Sequence, residues 1–189
     1  PYAIYTETVR EKINRDEHLV LSFMGTGIWE QAHNLMGISN LCMALYEEPE
    51  DTMELLEAIG EYRFQYTKLL VDNLHPDIII SHDDWGSKYS MFISPAMWRE
   101  FIKPQYEKGY SYLHDNGVII LHHSDSFLEP IIEDMIDVHI DIWQGVLPQN
   151  DIPRIQKETG GKLLLLGGLD QALIDQADVS EEVVRAEVR

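Results

Sequence analysis

Residues Gly117–Ser126 read GVIILHHSDS. Val118–Leu121 is an apolar, β-branched run without alternation, the pattern of a strand covered on both faces of a parallel sheet. A compact polar cluster follows at once, His122-His123-Ser124-Asp125-Ser126. The same two-part phrase recurs along the chain. Leu19–Met24 (LVLSFM) leads into Gly25-Thr26-Gly27-Ile28-Trp29, and Asp77–Ser81 (DIIIS) into His82-Asp83-Asp84-Trp85-Gly86-Ser87. Val138–Ile142 (VHIDI) leads into Trp143-Gln144-Gly145, and Lys162–Leu166 (KLLLL) into Gly167-Gly168-Leu169-Asp170.

Helical patterns separate these runs. Pro49–Leu74 opens with proline in its first turn and acids nearby, as suits a helix N-terminus. Pro95–His114 begins after Ser94, an N-cap, and should kink or split at Pro104. Asn116-Gly117 closes it. Ser126-Phe127-Leu128-Glu129 has the spacing of a capping box that starts the next helix. Ile152–Thr159 is a short helix ended by Gly160-Gly161. Strand and helix alternate, which argues for βαβ units and a parallel sheet. A closed barrel and an open doubly wound sheet both fit. In either, residues after the strands gather on one face, so Thr26, Asp84, His123, Gln144 and Asp170 are expected together at the carboxyl ends.

Composition narrows the function. A chain of 189 residues, 44% hydrophobic, suits one domain with an ordinary core. No apolar run approaches the length needed to span a bilayer, and no signal peptide is visible. The net charge of −19, from 33 acidic and 14 basic residues, disfavours nucleic acid and anionic membranes as partners. Cys42 is the single cysteine, so a disulfide framework is excluded and a reducing, cytoplasmic setting is expected. The chain starts at Pro1 and stops at Arg189, inside the helical stretch opened by Ser180, so truncation at both ends is expected.

The clusters carry the chemistry. Asp83-Asp84 can serve as acid and base, or bind a cation through oxygen; a helix cap or a solvated loop is the plainer alternative. His123 and Asp125 are two apart, which puts both side chains on one side of an extended segment. That spacing suits a metal or a His–carboxylate couple. His122 must point the other way, into packing between sheet and helices. Trp29, His33 and Trp85 are candidates to wall a pocket. His18, His75, His114 and His139 lie at element edges and read as structural. Gly25-Thr26-Gly27 lacks the third glycine of a dinucleotide fingerprint and reads as a tight turn.

A family resemblance extends this reading. Ile80–Tyr106 (ISHDDWGSKYSMFISPAMWREFIKPQY) resembles the segment of the uroporphyrinogen decarboxylase (URO-D) superfamily in which an acidic-Trp-Gly run precedes a Ser-Pro helix start and an aromatic-rich helix. Gly117–Asp125 is similar to the family's strand ending in His-x-Cys-Gly. Leu163–Asp170 (LLLLGGLD) resembles the family's next-to-last strand, and Phe23–Gly37 its Gly-rich segment. The resemblance implies a (β/α)8 TIM barrel, here incomplete, with the five strands standing as the third to the seventh.

The superfamily holds two chemistries. Decarboxylases remove acetate carboxylates from uroporphyrinogen without a cofactor. Methyltransferases move a methyl group between a corrinoid carried by a partner protein and a thiol, using zinc. By resemblance, His123 matches the zinc-binding histidine, Asp125 stands where the cysteine would be, and the third ligand would lie beyond Arg189. A chain ending there is expected to bind zinc weakly or not at all. Asp84, where decarboxylases carry serine, sets a negative charge against a polycarboxylate substrate. His33 stands in place of a decarboxylase tyrosine. The methyltransferase branch is therefore the expected one, with His123 and Asp125 on the metal. Asp83 or Asp84 would manage substrate or a proton, and Thr26, Trp29, His33, Trp85, Gln144 and Asp170 would line the site. The alternatives are uroporphyrinogen decarboxylation, or an inactive barrel acting as a binding subunit. A small-molecule or corrinoid-protein substrate and a homodimer are the partners implied.

Overall fold

The computed structural model describes residues 12–189. Its strands are β1 (Leu21–Met24), β2 (Ile78–His82), β3 (Ile119–His123), β4 (Ile142–Val146) and β5 (Leu164–Gly167). They form one sheet in the order β1-β2-β3-β4-β5, every neighbouring pair parallel. That order settles the choice left open by the sequence. A doubly wound sheet reverses its strand order at a switch point. Here each strand adds beside the last, as in a barrel. The five strands are an arc of an incomplete (β/α)8 barrel.

The helices are α1 (Ile28–Met36), α2 (Ile38–Glu47), α3 (Pro49–Leu74), α4 (Pro95–Met97), α5 (Lys103–Asp115), α6 (Ile132–Asp137), α7 (Ile152–Thr159), α8 (Gln171–Ile174) and α9 (Glu181–Glu187). The Ser94 side chain accepts from the Met97 amide and starts α4. A π-helical turn, Trp98–Ile102, then separates α4 from α5, with the Lys103 amide reaching the Trp98 carbonyl. Pro104 cannot donate a backbone hydrogen bond, and the wider turn directly before it absorbs the break.

The expected strands end at Ser81 and Leu121, whereas β2 and β3 run on to His82 and His123; two further boundaries also need correction. The fourth strand is Ile142–Val146, not Val138–Ile142. After α6, the Ile140 amide bonds the Met135 carbonyl and the His139 amide bonds the Ile136 carbonyl, with His139 at φ 67°. This is a Schellman ending with histidine in the left-handed position that glycine usually fills. Ile140 and Met135 are buried, as that motif favours. Val138 and Ile140 are thus apolar because they close a helix. Nor does Ser126 cap the next helix. Its hydroxyl donates to the Gly86 carbonyl and accepts from the Gly86 amide. The helical turn starts at Glu129 instead.

Side chains alternate between the two faces of the sheet. The register Met24–Ser81–His122–Trp143–Leu165 forms a row facing the helices. Its first four members are buried, and Trp29, Trp85, Trp98, Tyr106 and Tyr110 belong to the same fully buried set. The next row, His82–His123–Gln144–Leu166, points to the opposite face, the interior of the barrel.

Candidate functional site

The polar row is the floor of the site. His82 and His123 are register partners on β2 and β3, and Gln144 is the partner of His123 on β4. The two imidazoles stack with centroids 4.6 Å apart and planes 12° from parallel. Each has its Nδ1 engaged. The His82 Nδ1 lies 2.8 Å from a Glu30 carboxylate oxygen, and the His123 Nδ1 bonds the Gln144 side-chain oxygen. Both partners are acceptors, so both Nδ1 atoms donate, and Nε2 is the nitrogen on each ring that a metal could use.

Two carboxylates stand above this floor. The Asp84 Oδ1 accepts from the Asp125 amide at 2.9 Å, which ties the loop after β2 to the loop after β3. The Asp125 Oδ2 lies 4.0 Å from the His123 Nε2. One donor atom each from His82, Asp84 and His123 falls within a set whose members are all within 4.8 Å of one another. Gly145 shapes this corner. It sits at a bulge in β4 with φ 91°, and a Cβ there would come within 2.3 Å of an Asp125 carboxylate oxygen.

Asp83, expected as a catalytic acid or base, has a different task. It is fully buried, and its Oδ2 accepts from the Trp29 amide, the Trp85 indole and the Tyr106 hydroxyl. Its Oδ1 accepts from the Glu30 amide. The carboxylate therefore holds the first turn of α1, taking up amides that a helix start leaves unpaired. Burial pushes this carboxyl up to about 6. Period-2 alternation explains the separation: Asp84 faces the mouth and Asp83 faces the helices.

The remaining candidates divide. Gln144 lies in the site but holds His123 in place. Trp29 and Trp85 are buried behind the sheet; Trp29 stacks on Phe92, and Trp85 stacks on His122 at 4.0 Å. They back the site and do not line its mouth. His33 lies on α1 with its ring edge-on to Trp29 at 6.4 Å, outside the His82–Asp84–His123 group. Thr26, at φ 41°, lines a cavity of about 510 Å³ between α1 and α3. No member of the histidine row lines that cavity. Asp170 is at the same end of the sheet, where it caps α8 and pairs with Lys88 at 3.2 Å. His122 is buried and hydrogen-bonded to the Tyr110 hydroxyl, with burial drawing it down to about 3, so it stays neutral.

Sequence reasoning missed Glu30, His82 and Arg63. Glu30 had a signal: it stands three residues after the helix-opening Gly27, the position whose side chain reaches back to the cap amide, here at 3.4 Å. His82 had one too, since the expected strand ended a residue early and left it in the loop. Arg63, buried in α3, donates to the Gly25 and Thr26 carbonyls and to the Ser81 hydroxyl. It pins the loop after β1, and nothing in the α3 pattern marked it.

The uroporphyrinogen decarboxylase (URO-D) family model matches residues 3–189. The chain belongs to this family. A methyltransferase from Methanosarcina mazei has the same fold, with a TM-score of 0.70 at 20% sequence identity over 87% of the chain. The chain spans 46% of that protein's length. No curated protein matches it. URO-D membership supports an enzyme in the broad sense, as the family includes decarboxylases and methyltransferases. Among the described residues no helix is long and apolar enough to cross a membrane.

A thiolate zinc site does not fit these residues. Cys42, the one cysteine, lies on α2, whereas the donors at the strand ends are imidazole and carboxylate. Such donors do suit a divalent metal ion.

Proposed function

We propose that this chain belongs to a methyltransferase-type URO-D enzyme, which moves a methyl group from a corrinoid carried by a partner protein to a thiol or similar acceptor. The observation that carries this reading is the pair His123 and Asp125, 4.0 Å apart at the carboxyl end of β3, where the family's His-x-Cys would stand. A metal held there would lower the pKa of a bound thiol. The chain's own residues do the rest. Gln144 orients His123, and the Asp125 amide is fixed by Asp84. The partner's corrinoid would supply the methyl group and keep the electron pair of the bond it gives up, and the acceptor thiol would take the methyl and release its proton to water. Asp84 disfavours the decarboxylase alternative, because it sets an anion beside the place a polycarboxylate would occupy. The test is methyl transfer from a methylated corrinoid to a simple thiol by the complete protein. His123→Ala should lower the rate at least a hundredfold. Release of carbon dioxide from uroporphyrinogen, without methyl transfer, would replace this reading with decarboxylation.

A further inference from the structure

The resemblance places the third metal ligand beyond Arg189. The geometry points elsewhere. We propose that His82, Asp84 and His123 form a metal site complete within this chain, with the Asp125 carboxylate beside it. The site takes a divalent first-row ion through nitrogen and oxygen, without thiolate. It deepens the functional reading above, yet it does not depend on methyl transfer being the reaction.

Three observations carry it. The first is register: pairing of β2 with β3 sets His82 directly beside His123, so the backbone presents the two imidazoles together. The second is the state of the rings. Glu30, from the first turn of α1, and Gln144, from β4, each take one Nδ1–H. A metal-binding histidine is commonly held this way, its second nitrogen donating to a carboxylate or carbonyl. The Glu30 side chain is 16% exposed, so water competes weakly for that bond. The third is the carboxylate. Asp84 accepts from the Asp125 amide with one oxygen, and a carboxylate oxygen of Asp84 lies within 4.8 Å of a ring nitrogen of each histidine.

The distances allow closure. Donor atoms within 4.8 Å of one another must approach to about 3.3 Å for tetrahedral bonds of roughly 2.0–2.1 Å. Closure requires the stacked imidazoles and the Asp84 carboxylate to rotate toward a common point. Two neutral imidazoles and the Asp84 and Asp125 carboxylates balance a doubly charged ion. Two histidines and one carboxylate leave coordination positions open for substrate, as in non-haem iron centres, and the same donors suit zinc, cobalt or manganese.

The experiment uses this chain after dialysis against a chelator, titrated with Zn²⁺ and, separately, Co²⁺. One equivalent should bind, and the cobalt spectrum should lack a thiolate charge-transfer band. His82→Ala should weaken binding at least tenfold. Glu30→Gln should weaken it about tenfold with an unchanged melting temperature, since loss of an orienting partner typically costs 10–100-fold. His114→Ala, at the other end of the sheet, should change nothing. Circular dichroism checks that each variant folds. Absence of stoichiometric metal in the wild-type chain, or full affinity in folded His82→Ala, overturns the site. Bound metal without methyl transfer by the complete protein upholds the site and removes the methyltransferase reading.

Discussion

Gly27 has φ −68° and ψ −175°, a conformation any residue adopts, so space alone demands glycine there. A Cβ would lie 2.0 Å from the Asp83 Cβ and Cγ. Asp83 cannot retreat, because four donors hold it. Gly27→Ala should therefore cost about 3 kcal/mol or more, the upper range for overpacking a rigid site. Chemical denaturation measures this, and a loss under about 1 kcal/mol would show that α1 can shift away from Asp83. A second residue gives a pH dependence far from the site. Asp134 joins α6 to the π-helical turn and the start of α5 through Arg99 at 2.8 Å and Lys103 at 2.9 Å. Burial alone would raise its carboxyl, but the Arg99 and Lys103 hydrogen bonds outweigh that and hold it below the usual carboxylate value of 3.8. A depressed carboxyl contributes stability above the unfolded-state value and loses it as pH falls through the folded one. Asp134→Asn should cost about 1–3 kcal/mol at pH 7, in line with hydrogen bonds to charged groups. The gap between wild type and variant should shrink below about pH 4. An equal gap at pH 7 and pH 3 would contradict this account.

At the scale of elements, much was legible and the exceptions have identifiable causes. Pro49–Leu74 and Ile152–Thr159 form as expected, because prolines mark both starts and Gly160 ends the second. The split near Pro104 followed from the missing amide, although the π-helical form of the break had no sequence marker. β4 was misplaced because a Schellman ending is recognised by glycine, and here His139 fills the left-handed position. Ser126 misled because its spacing to Glu129 copies a capping box while its hydroxyl bonds the Gly86 backbone. The convergence of polar clusters needed only strand direction. Which of two adjacent polar residues faces the mouth needed the register. That is why the Asp83-Asp84 pair was read as one unit when its members lie on opposite sides of the sheet.

Among the described residues the sheet is an arc whose concave side carries exposed apolar side chains. Leu21, Phe23, Ile119, Leu164 and Leu166 are 39–59% exposed on the described residues. They come from β1, β3 and β5, and β1 and β5 are the sheet's edges. Unpaired strand edges beside an apolar face invite association. The net charge of −19 opposes it through self-repulsion. This chain on its own should therefore associate with rising concentration, and more so in high salt, where screening removes the repulsion. Phe23→Lys and Leu166→Lys together should suppress that association in light scattering. A wild-type chain that stays monomeric at every salt concentration would mean the concave face is covered in solution.

All four tryptophans, Trp29, Trp85, Trp98 and Trp143, lie at 1% exposure or less in the layer between sheet and helices. Their fluorescence should be that of indoles shielded from water, and unfolding should shift the emission strongly to longer wavelength. A diamagnetic ion such as zinc, arriving on the opposite side of the sheet, meets no indole. The protein thus carries an optical reporter of its folded state that zinc loading should leave nearly silent.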